Sequence, residues 1–340
     1  MTLPANDNSY GVVLSTKLQL VLDQPMADIE TKLVNRDFEG DFFKKGDTVQ
    51  VAKIDPDMVT TSVGVSRTTP ANFDAKLTAT DMQFAAPLEL TIDKAAKYAF
   101  LISQVQEAEG PWAYQSGGLE LAGYNIRKGH NLETCQMLVD DAVASTGNTV
   151  TGHVYELGTP AAPIELASVD DIYTKVAVPM YTRLFGVGAI TASAHVPFGS
   201  NSQEQHYDKA GIFLPPVAMG QLLQSKYLTD RSTTQADEKV ATAAIGKLLG
   251  MDVSMEPALD PENSETAVEI TAAADGTFCI IAGTRNCITK ANKVLPPVSQ
   301  FSTTRFATEY HGLEIYAKKI IEPKAAVVAF CKIGTTDAGG

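Results

Sequence analysis

Few residues of this chain have the type and spacing that acid–base catalysis requires. The nearest candidates are two pairs of adjacent carboxylates, Asp140–Asp141 and Asp170–Asp171. Both pairs fall in segments with helical spacing, where neighbours in sequence point in different directions. We therefore expect the first pair to keep a helix surface soluble. The second pair is expected in the first turn of a helix that is capped by Ser168.

The histidines and glycines form no recognisable ligand set either. The five histidines, at positions 130, 153, 195, 206 and 311, never occur at the i, i+4 spacing of a helical metal site. His195 and His206 flank a polar loop, where we expect solvated side chains. Gly186-Val187-Gly188 lacks the third glycine of a dinucleotide-binding loop, and Walker, HExxH and GxSxG motifs are absent. The sequence thus predicts no catalytic, cofactor-binding or metal-binding residue.

The cysteines point to a reducing compartment. The four of them, at positions 135, 279, 287 and 331, form no CxxC pair and no dense framework. Cys279 and Cys287 lie in or beside apolar segments, so we expect buried structural thiols rather than nucleophiles. The first residues lack the basic and apolar regions of a signal peptide. We therefore expect a chain that folds in a cytoplasm with its thiols reduced.

The composition argues against several classes of protein. The 340 residues carry 27 basic and 40 acidic side chains, a formal net charge of −13, whereas nucleic-acid affinity comes largely from clustered Lys and Arg. Apolar residues at 44% and charged residues at 20% are typical of a folded protein. The longest strongly apolar stretch, Ala325 to Cys331, is far shorter than the roughly 20 residues that cross a bilayer. The length favours two domains, or one domain with long excursions.

The N-terminal part of the sequence predicts an arm followed by a long loop. In residues 1–43, Ile29 and Leu33 belong to a helical stripe that is too small to form a core alone, so the arm must pack on something else. The segments Val49–Ile54 and Leu88–Ile92 alternate between apolar and polar residues, which predicts two paired strands. A long polar stretch joins them, and a loop of that length generally has a function.

The clearest helix is predicted from Gly118 to Ala144. Its apolar residues recur at spacings of three and four: Leu119, Ala122, Ile126, Leu132, Cys135, Val139 and Ala142. Because its glycines weaken a helix, we expect a closely packed partner. Trp112 is predicted to be a packing anchor just before it. Further strands are predicted at Ala210–Leu214, Thr277–Ala282, Leu313–Ile321 and Ala325–Cys331. The mixture is α+β without a βαβ repeat.

Two lysine doublets, Lys44-Lys45 and Lys318-Lys319, are the strongest local clusters of positive charge that we considered. They are too short to predict a nucleic-acid surface. We expect both to be exposed and to pair with acidic neighbours.

Several motifs follow one another in an order that resembles a known family. They are Asn35-Arg36-Asp37-Phe38-Glu39-Gly40 with Lys45-Gly46-Asp47-Thr48-Val49, then Leu90-Thr91-Ile92-Asp93 with Tyr98-Ala99-Phe100, Phe213-Leu214-Pro215-Pro216, Ala244 to Val253, and Gly312 to Ala317. In this order, over roughly residues 30 to 332, they resemble the major capsid proteins of tailed bacteriophages, which share the Hong Kong 97 fold. The turn in Ala244 to Val253 is the most specific of these motifs.

The resemblance implies a Hong Kong 97-like α+β fold with four parts. These are an N-terminal arm (1–43), an extended β-hairpin loop (44–95), a peripheral domain with the long spine helix (96–160 and 300–322), and an axial domain (161–299 and 323–340). It also implies that subunits meet through the arm junction and the loop. The interface candidates are Arg36, Glu39, Lys44, Lys45, Arg67 and Phe73.

The function that the resemblance implies is structural. The chain would be a self-assembling subunit of an icosahedral phage head that encloses double-stranded DNA, without enzymatic activity or a cofactor. The implied partners are further copies in hexamers and pentamers, a scaffolding protein, a portal and decoration proteins. DNA is enclosed but not read, no membrane is involved, and assembly occurs in the host cytoplasm before the protein resides in the virion. The alternatives are an encapsulin-type nanocompartment shell and a soluble enzyme whose site is assembled from loops.

Overall fold

A computed structural model describes residues 29–36, 46–54, 84–109, 111–144, 153–185, 210–225, 247–260, 267–285 and 287–334. The polar stretch inside the predicted hairpin, the Gly186-Val187-Gly188 segment, and His195 and His206 lie outside these residues. Within them, helices and strands are both abundant, as the sequence predicts.

The helices and strands of the described residues have the following bounds. The helices are α1 (Ile29–Leu33), α2 (Gln104–Glu109), α3 (Pro111–Ala144), α4 (Val178–Phe185) and α5 (Pro216–Gln224). The strands are β1 (Val34–Asn35), β2 (Thr48–Ile54), β3 (Phe84–Thr91), β4 (Lys94–Ser103), β5 (Tyr155–Leu157), β6 (Ile164–Leu166), β7 (Gly211–Leu214), β8 (Lys247–Leu248), β9 (Met251–Met255), β10 (Thr277–Gly283), β11 (Ile288–Ser302), β12 (Ala307–Ile320) and β13 (Ala326–Ile333).

The larger sheet is a central layer with helices on both faces. Its strand order is β5-β13-β10-β7-β9-β8, and β6 pairs with β13 beside β5. Side chains of β10 alternate between the faces: Ile280 packs with a cluster that includes α4 and α5, and Ile281 packs with one that includes α1 and α3. Both faces of the central strands are therefore buried, which explains why β10 is predicted as a continuous apolar run.

The smaller sheet has the order β1-β11-β12-β4. Strand β1 pairs parallel with β11, and the other pairs are antiparallel. The ladder of β11 with β12 is interrupted between Leu295 and Val298, where Pro296-Pro297 removes two N–H donors. This sheet joins the arm, through β1, to the two longest strands.

Helix α3 is the long helix of the sequence prediction, with a different start. It ends at Ala144 as predicted but begins at Pro111, so Trp112 lies in its first turn and not before it. Every residue of the predicted stripe is buried except Leu132, which is partly buried. The expected close partner is present at Gly118, where an added Cβ would lie 2.8 Å from the Phe100 ring.

The predicted hairpin is confirmed at its base. Strand β2 pairs antiparallel with β3, with Val49 opposite Leu90 and Val51 opposite Leu88. Gly46 adopts a positive φ of 93°, and its N–H donates to the Ile92 carbonyl at 2.8 Å. The two strands are therefore closed by backbone hydrogen bonds where they leave the rest of the chain.

Two turns show how local sequence sets the remaining geometry. Leu249 and Gly250, between β8 and β9, have φ values of 52° and 84°, the combination that a tight two-residue hairpin needs. A π-helical turn at Ile172–Ala177 runs directly into α4. Pro179 lies in the first turn of α4, and the wide turn just before it accommodates the proline without ending the helix. None of the helices in the described segments is long and apolar enough to cross a membrane.

Candidate assembly site

The two faces of the smaller sheet are covered by different parts of the chain. On one face, Tyr98 and Phe100 of β4 pack with Leu119 and Ile126 of α3. On the other, Leu90 and Ile92 at the base of the hairpin pack with apolar residues of the two long strands, Ala291, Leu313, Ile315 and Ala317. Helix α3 and the hairpin thus hold the sheet between them at the end nearest the larger sheet.

The other end of this sheet carries exposed apolar side chains. We define this distal patch as the residues around the β11–β12 turn and the start of α2: Leu101, Val105, Val298, Phe301 and Phe306. Val298 and Phe306 are each 67% exposed. Five of the twelve exposed large apolar residues in the described segments belong to this patch. Large apolar side chains concentrated at one exposed end are typical of a surface that contacts another protein.

A groove lies between α3 and β4. It has a volume of about 550 Å³ and is lined by Phe100, Leu121, Asn125 and Ile126 among others. Strand β4 forms one edge of the smaller sheet as far as the structure describes it. An edge strand leaves backbone donors and acceptors open to a further chain.

Buried charged side chains form a cluster, here called the junction, where α1, α3 and the smaller sheet meet. Its members are Glu30, His130, Glu133, Lys290, Glu314 and Lys318. Lys290 Nζ donates to Glu30 Oε1 at 2.7 Å, and Lys318 Nζ lies 3.6 Å from the same oxygen. Glu30 is 1% exposed, so both lysines lie close to a carboxylate that is itself removed from water.

Helix α3 supplies the other side of the junction. His130 Nε2 donates to Glu314 Oε2 at 3.0 Å, and the His130 ring packs edge-on against Tyr316 at 4.5 Å between centroids. Lys318 Nζ donates to the His130 carbonyl at 2.8 Å. Lys94 Nζ donates to Glu133 Oε1 at 2.6 Å at the more exposed rim. The helix is thereby fixed to two strands by charge-assisted hydrogen bonds.

The electrostatic environment favours ionised carboxylates. Burial alone would raise the pKa of the Glu30 carboxyl, but the charges of Lys290 and Lys318 outweigh it and hold that pKa well below its usual range. Burial of Glu314 is likewise outweighed by its hydrogen bond with His130, and its pKa is lowered to about 2. Burial lowers the pKa of Lys318 to about 8, against the pull of Glu30. The junction therefore consists of mutually dependent charges.

The prediction for the Lys318-Lys319 doublet is wrong at its first residue. Lys318 is 7% exposed and lies in the junction. Its partner Glu30 comes from the distant arm, so the neighbouring sequence does not indicate its burial. Lys319 is exposed, as predicted, and its Nζ donates to the Glu89 carbonyl at 3.0 Å. Neighbours on a strand point to opposite faces, so the doublet is divided between a charged interior and the surface.

The candidate interface residues fall mostly outside the described segments. Glu39, Lys44, Lys45, Arg67 and Phe73 lie outside them, and their assignment stays a prediction. Arg36 is described: it is partly buried, and its guanidinium lies 3.8 Å from Glu30 of its own chain. Arg36 thus joins the rim of the buried junction, and its role between subunits also stays a prediction.

The paired carboxylates have structural partners that the sequence did not indicate. Asp141 accepts hydrogen bonds from His153 Nδ1 at 3.0 Å and from the Val154 N–H at 2.7 Å, so it fixes the chain after α3 and does more than aid solubility. Asp171 was expected to sit in the first helical turn. It stands where the helix begins, as expected, and its carboxylate accepts hydrogen bonds from the N–H groups of Ala167 and Ser168. Neither pair is arranged as two carboxyls around one space.

The two cysteines whose burial was predicted, Cys279 and Cys287, are buried. All four cysteines are free and buried. Burial raises the pKa of each thiol, to about 12 for Cys331. In the described segments no group of three or more His, Cys, Asp and Glu side chains is placed to hold a metal ion.

Solved structures resemble this chain along most of its length. No protein-family model matches the sequence, and no curated protein matches it. A structure from Mycobacterium phage Che8 is similar at 16% identity and a TM-score of 0.55, covering 90% of this chain and 92% of that one. The capsid of cyanophage Pam1 is similar at 11% identity and a TM-score of 0.53, with 89% of each chain covered.

The mature capsid of bacteriophage PhiM1 is similar at 12% identity and a TM-score of 0.52, covering 92% of this chain and 88% of that one. The fold is thus one that builds phage capsids. In particular, it is the Hong Kong 97-like capsid fold that the order of motifs predicted.

Proposed function

We propose that this chain is a major capsid protein, the self-assembling structural subunit of an icosahedral bacteriophage head that encloses double-stranded DNA. The observation that carries the proposal is the capsid fold itself, shared with the Che8 structure over 90% of this chain. In this function the chain has a structural and not an enzymatic role. It would reside in the virion after assembly in the host cytoplasm.

The distal patch supports this function by its position. Val298, Phe301 and Phe306 project from the end of the smaller sheet, away from both cores of the larger sheet. A monomer gains nothing from exposing them, whereas a shell subunit can bury them against a neighbour. We infer that this end of the sheet lies between subunits.

The hairpin supports the same function. Its base is held by Leu90 and Ile92, and a two-stranded ribbon is only marginally stable alone. We propose that the segment beyond Ile54 and before Phe84 lies on a neighbouring copy, where Arg67 and Phe73 contribute contacts. We propose that Arg36, Glu39, Lys44 and Lys45 act at the junction of arm and loop.

The parts of the subunit follow from the two sheets. We propose an arm (1–43), an extended loop (44–95), a peripheral domain around the smaller sheet and α3, and an axial domain around the larger sheet. The sequence placed residues 288–299 in the axial domain. Because β11 pairs with β12 in the smaller sheet, we propose instead that residues 288–302 belong to the peripheral domain. Hexamers and pentamers, a scaffolding protein, a portal, decoration proteins and enclosed DNA are the partners of such a subunit.

Electron microscopy of the expressed protein, with light scattering, tests the proposal. The chain is produced alone and together with a candidate scaffolding protein, over a range of salt concentrations. Closed shells or capsomers are expected. A monodisperse monomer under all conditions would contradict the proposal. Shells that carry a cargo enzyme, from a gene flanked by that enzyme rather than by portal and terminase genes, would favour a nanocompartment.

A further inference from the structure

Two buried lysines face each other across the ladder of β11 and β12. Lys290 and Lys318 are register partners and are 1% and 7% exposed. Like charges directly opposite on neighbouring strands are destabilising, and burial strengthens their repulsion because little water screens it. The facing lysines therefore require a negative charge, either from outside the two strands or from a residue at another position along them.

The arm supplies that charge. Glu30 is the acidic residue of α1, and its Oε1 lies 2.7 Å from Lys290 Nζ and 3.6 Å from Lys318 Nζ. Each remaining carboxylate lies near only one of the lysines and has other partners as well. Glu314 Oε1 lies 3.5 Å from Lys290 Nζ, and Glu314 also accepts from His130 and Asn292. Glu133 Oε2 lies 3.6 Å from Lys318 Nζ, and Glu133 also accepts from Lys94. Removing α1 would thus take away the carboxylate nearest to Lys290, which among the described residues is also the one that lies within 4 Å of both lysines.

The same segment is joined to the sheet by its backbone. Immediately after α1, Val34 and Asn35 pair parallel with Ile288 and Thr289 of β11. Ile29 and Leu33 are fully buried in the cluster that includes α3. The segment therefore docks as one unit, α1 with β1, onto the strand that carries Lys290.

We propose that Glu30 couples docking of the α1–β1 segment to pairing of β11 with β12, so that the arm and the smaller sheet change state together. The docked segment permits the two lysines to face each other, and an undocked segment loosens the sheet around them. This coupling concerns one chain and does not rest on the proposed capsid function. In a shell, it would transmit a displacement of the arm to the sheet.

All charged groups around Glu30 take part in this balance. Lys290 comes from β11, Lys318 and Glu314 come from β12, His130 and Glu133 come from α3, and Arg36 follows β1. Acid should therefore act on the junction as a whole. Protonation of its carboxylates leaves Lys290 and Lys318 without compensation.

Hydrogen exchange of the unassembled full-length chain tests the coupling through Glu30→Gln. Removing one partner of a buried ion pair is strongly destabilising, so protection of residues 29–35 should fall about 100-fold. Protection near Lys290 and Lys318 should fall with it, while strands β10 and β13 keep theirs. The matched control is Lys32→Gln on the same helix. Lys32 pairs with Asp252, where both side chains are about a quarter exposed (28% and 25%), so exchange should change little.

A second variant and the unmodified chain complete the test. In the double variant Glu30→Gln with Lys290→Gln, protection near Lys318 should recover because Lys318 no longer faces a second cation. In the unmodified chain, lowering the pH from 6 toward 3 should expose residues 29–35 and the two lysine positions together, before β10. Loss of protection in α1 alone, or simultaneous loss throughout the chain in acid, would overturn the coupling whether or not the variants fold.

Discussion

The Tyr98 ring on β4 occupies the space directly over Gly312 on β12. The two residues are register partners, and a Cβ on Gly312 would overlap the ring. Tyr98 is 9% exposed, and burial raises its pKa to about 12. An aromatic side chain that covers a strand glycine keeps the glycine position packed. This pair therefore joins the edge strand to the centre of the smaller sheet.

We expect Gly312→Ala to destabilise the subunit by about 1–3 kcal/mol, because overpacking forces a ring or a strand to move. The control is Gly129→Ala in α3, where an added Cβ meets nothing within 4 Å. That change should stabilise the chain by up to about 1 kcal/mol through helix propensity. Urea unfolding of both variants measures the difference. If the midpoint of Gly312→Ala equalled that of the unmodified chain, the Tyr98 ring would have moved aside without cost.

The core of α3 gives a second test of packing. Leu138 is fully buried, while Leu121 on the same helix is 62% exposed. We expect Leu138→Ala to cost about 2–5 kcal/mol, since it leaves a cavity between α3 and the larger sheet. Leu121→Ala should stay within about 0.5 kcal/mol. Thermal unfolding under identical conditions compares them, and a similar loss in both variants would contradict the described orientation of the helix.

Local sequence patterns predicted two kinds of element: strands that pair with a segment nearby in the sequence, and helices that pack through apolar side chains. The alternation in Val49–Ile54 and Leu88–Ile92 predicted the hairpin, and the pairing of its two strands is confirmed. The spacing of α3 likewise predicted its buried face. Both results follow because an apolar stripe needs only some apolar partner, whatever its position in the chain.

The strand β11 and the charged junction were not predicted, for a common reason. Strand β11 carries Lys290 and Asn292 on a buried face, so its sequence resembles that of a polar loop. Their burial depends on Glu30, which is 260 residues away from Lys290. A buried charge is recognisable in sequence only together with its partner, and no local pattern identifies that partner.

Alkaline conditions should destabilise the chain through its thiols. Burial raises the pKa of all four cysteines above the ordinary value of 9.0. Above pH 9 the unfolded chain therefore binds fewer protons than the native chain, and stability falls as the pH rises. Lys318 acts in the opposite direction. Its native pKa of about 8 lies below 10.5, so it favours folding as the pH rises between these values.

The four thiols outweigh the single lysine above pH 9, since each contributes about 1.4 kcal/mol per pH unit there. We expect the urea midpoint in a reducing buffer to fall steadily between pH 9 and 11. The variant Cys287→Ala should show a shallower fall, with one proton fewer in the slope. A midpoint that stays level up to pH 11 would mean that the thiols are ionised in the folded chain.

Assembly should depend on the distal patch without any change in folding. Val298 is 67% exposed on β11, so Val298→Ser removes apolar surface that the single chain does not bury. We expect the free energy of unfolding of the unassembled chain, measured with urea, to change by less than about 0.5 kcal/mol. Phe301→Ser should behave alike, because this side chain is 47% exposed.

The yield of assembled particles should fall in both variants, since central apolar contacts carry much of an interface. The control is Val217→Ser on α5, a valine that is 37% exposed and packs away from the smaller sheet. Analytical ultracentrifugation at matched protein concentration measures the assembled fraction. Normal assembly of the double variant Val298→Ser with Phe301→Ser would show that the distal end of the sheet faces solvent in the shell. Equal loss in the Val217→Ser control would show that assembly responds to any loss of exposed apolar area, and the distal patch would then have no special role.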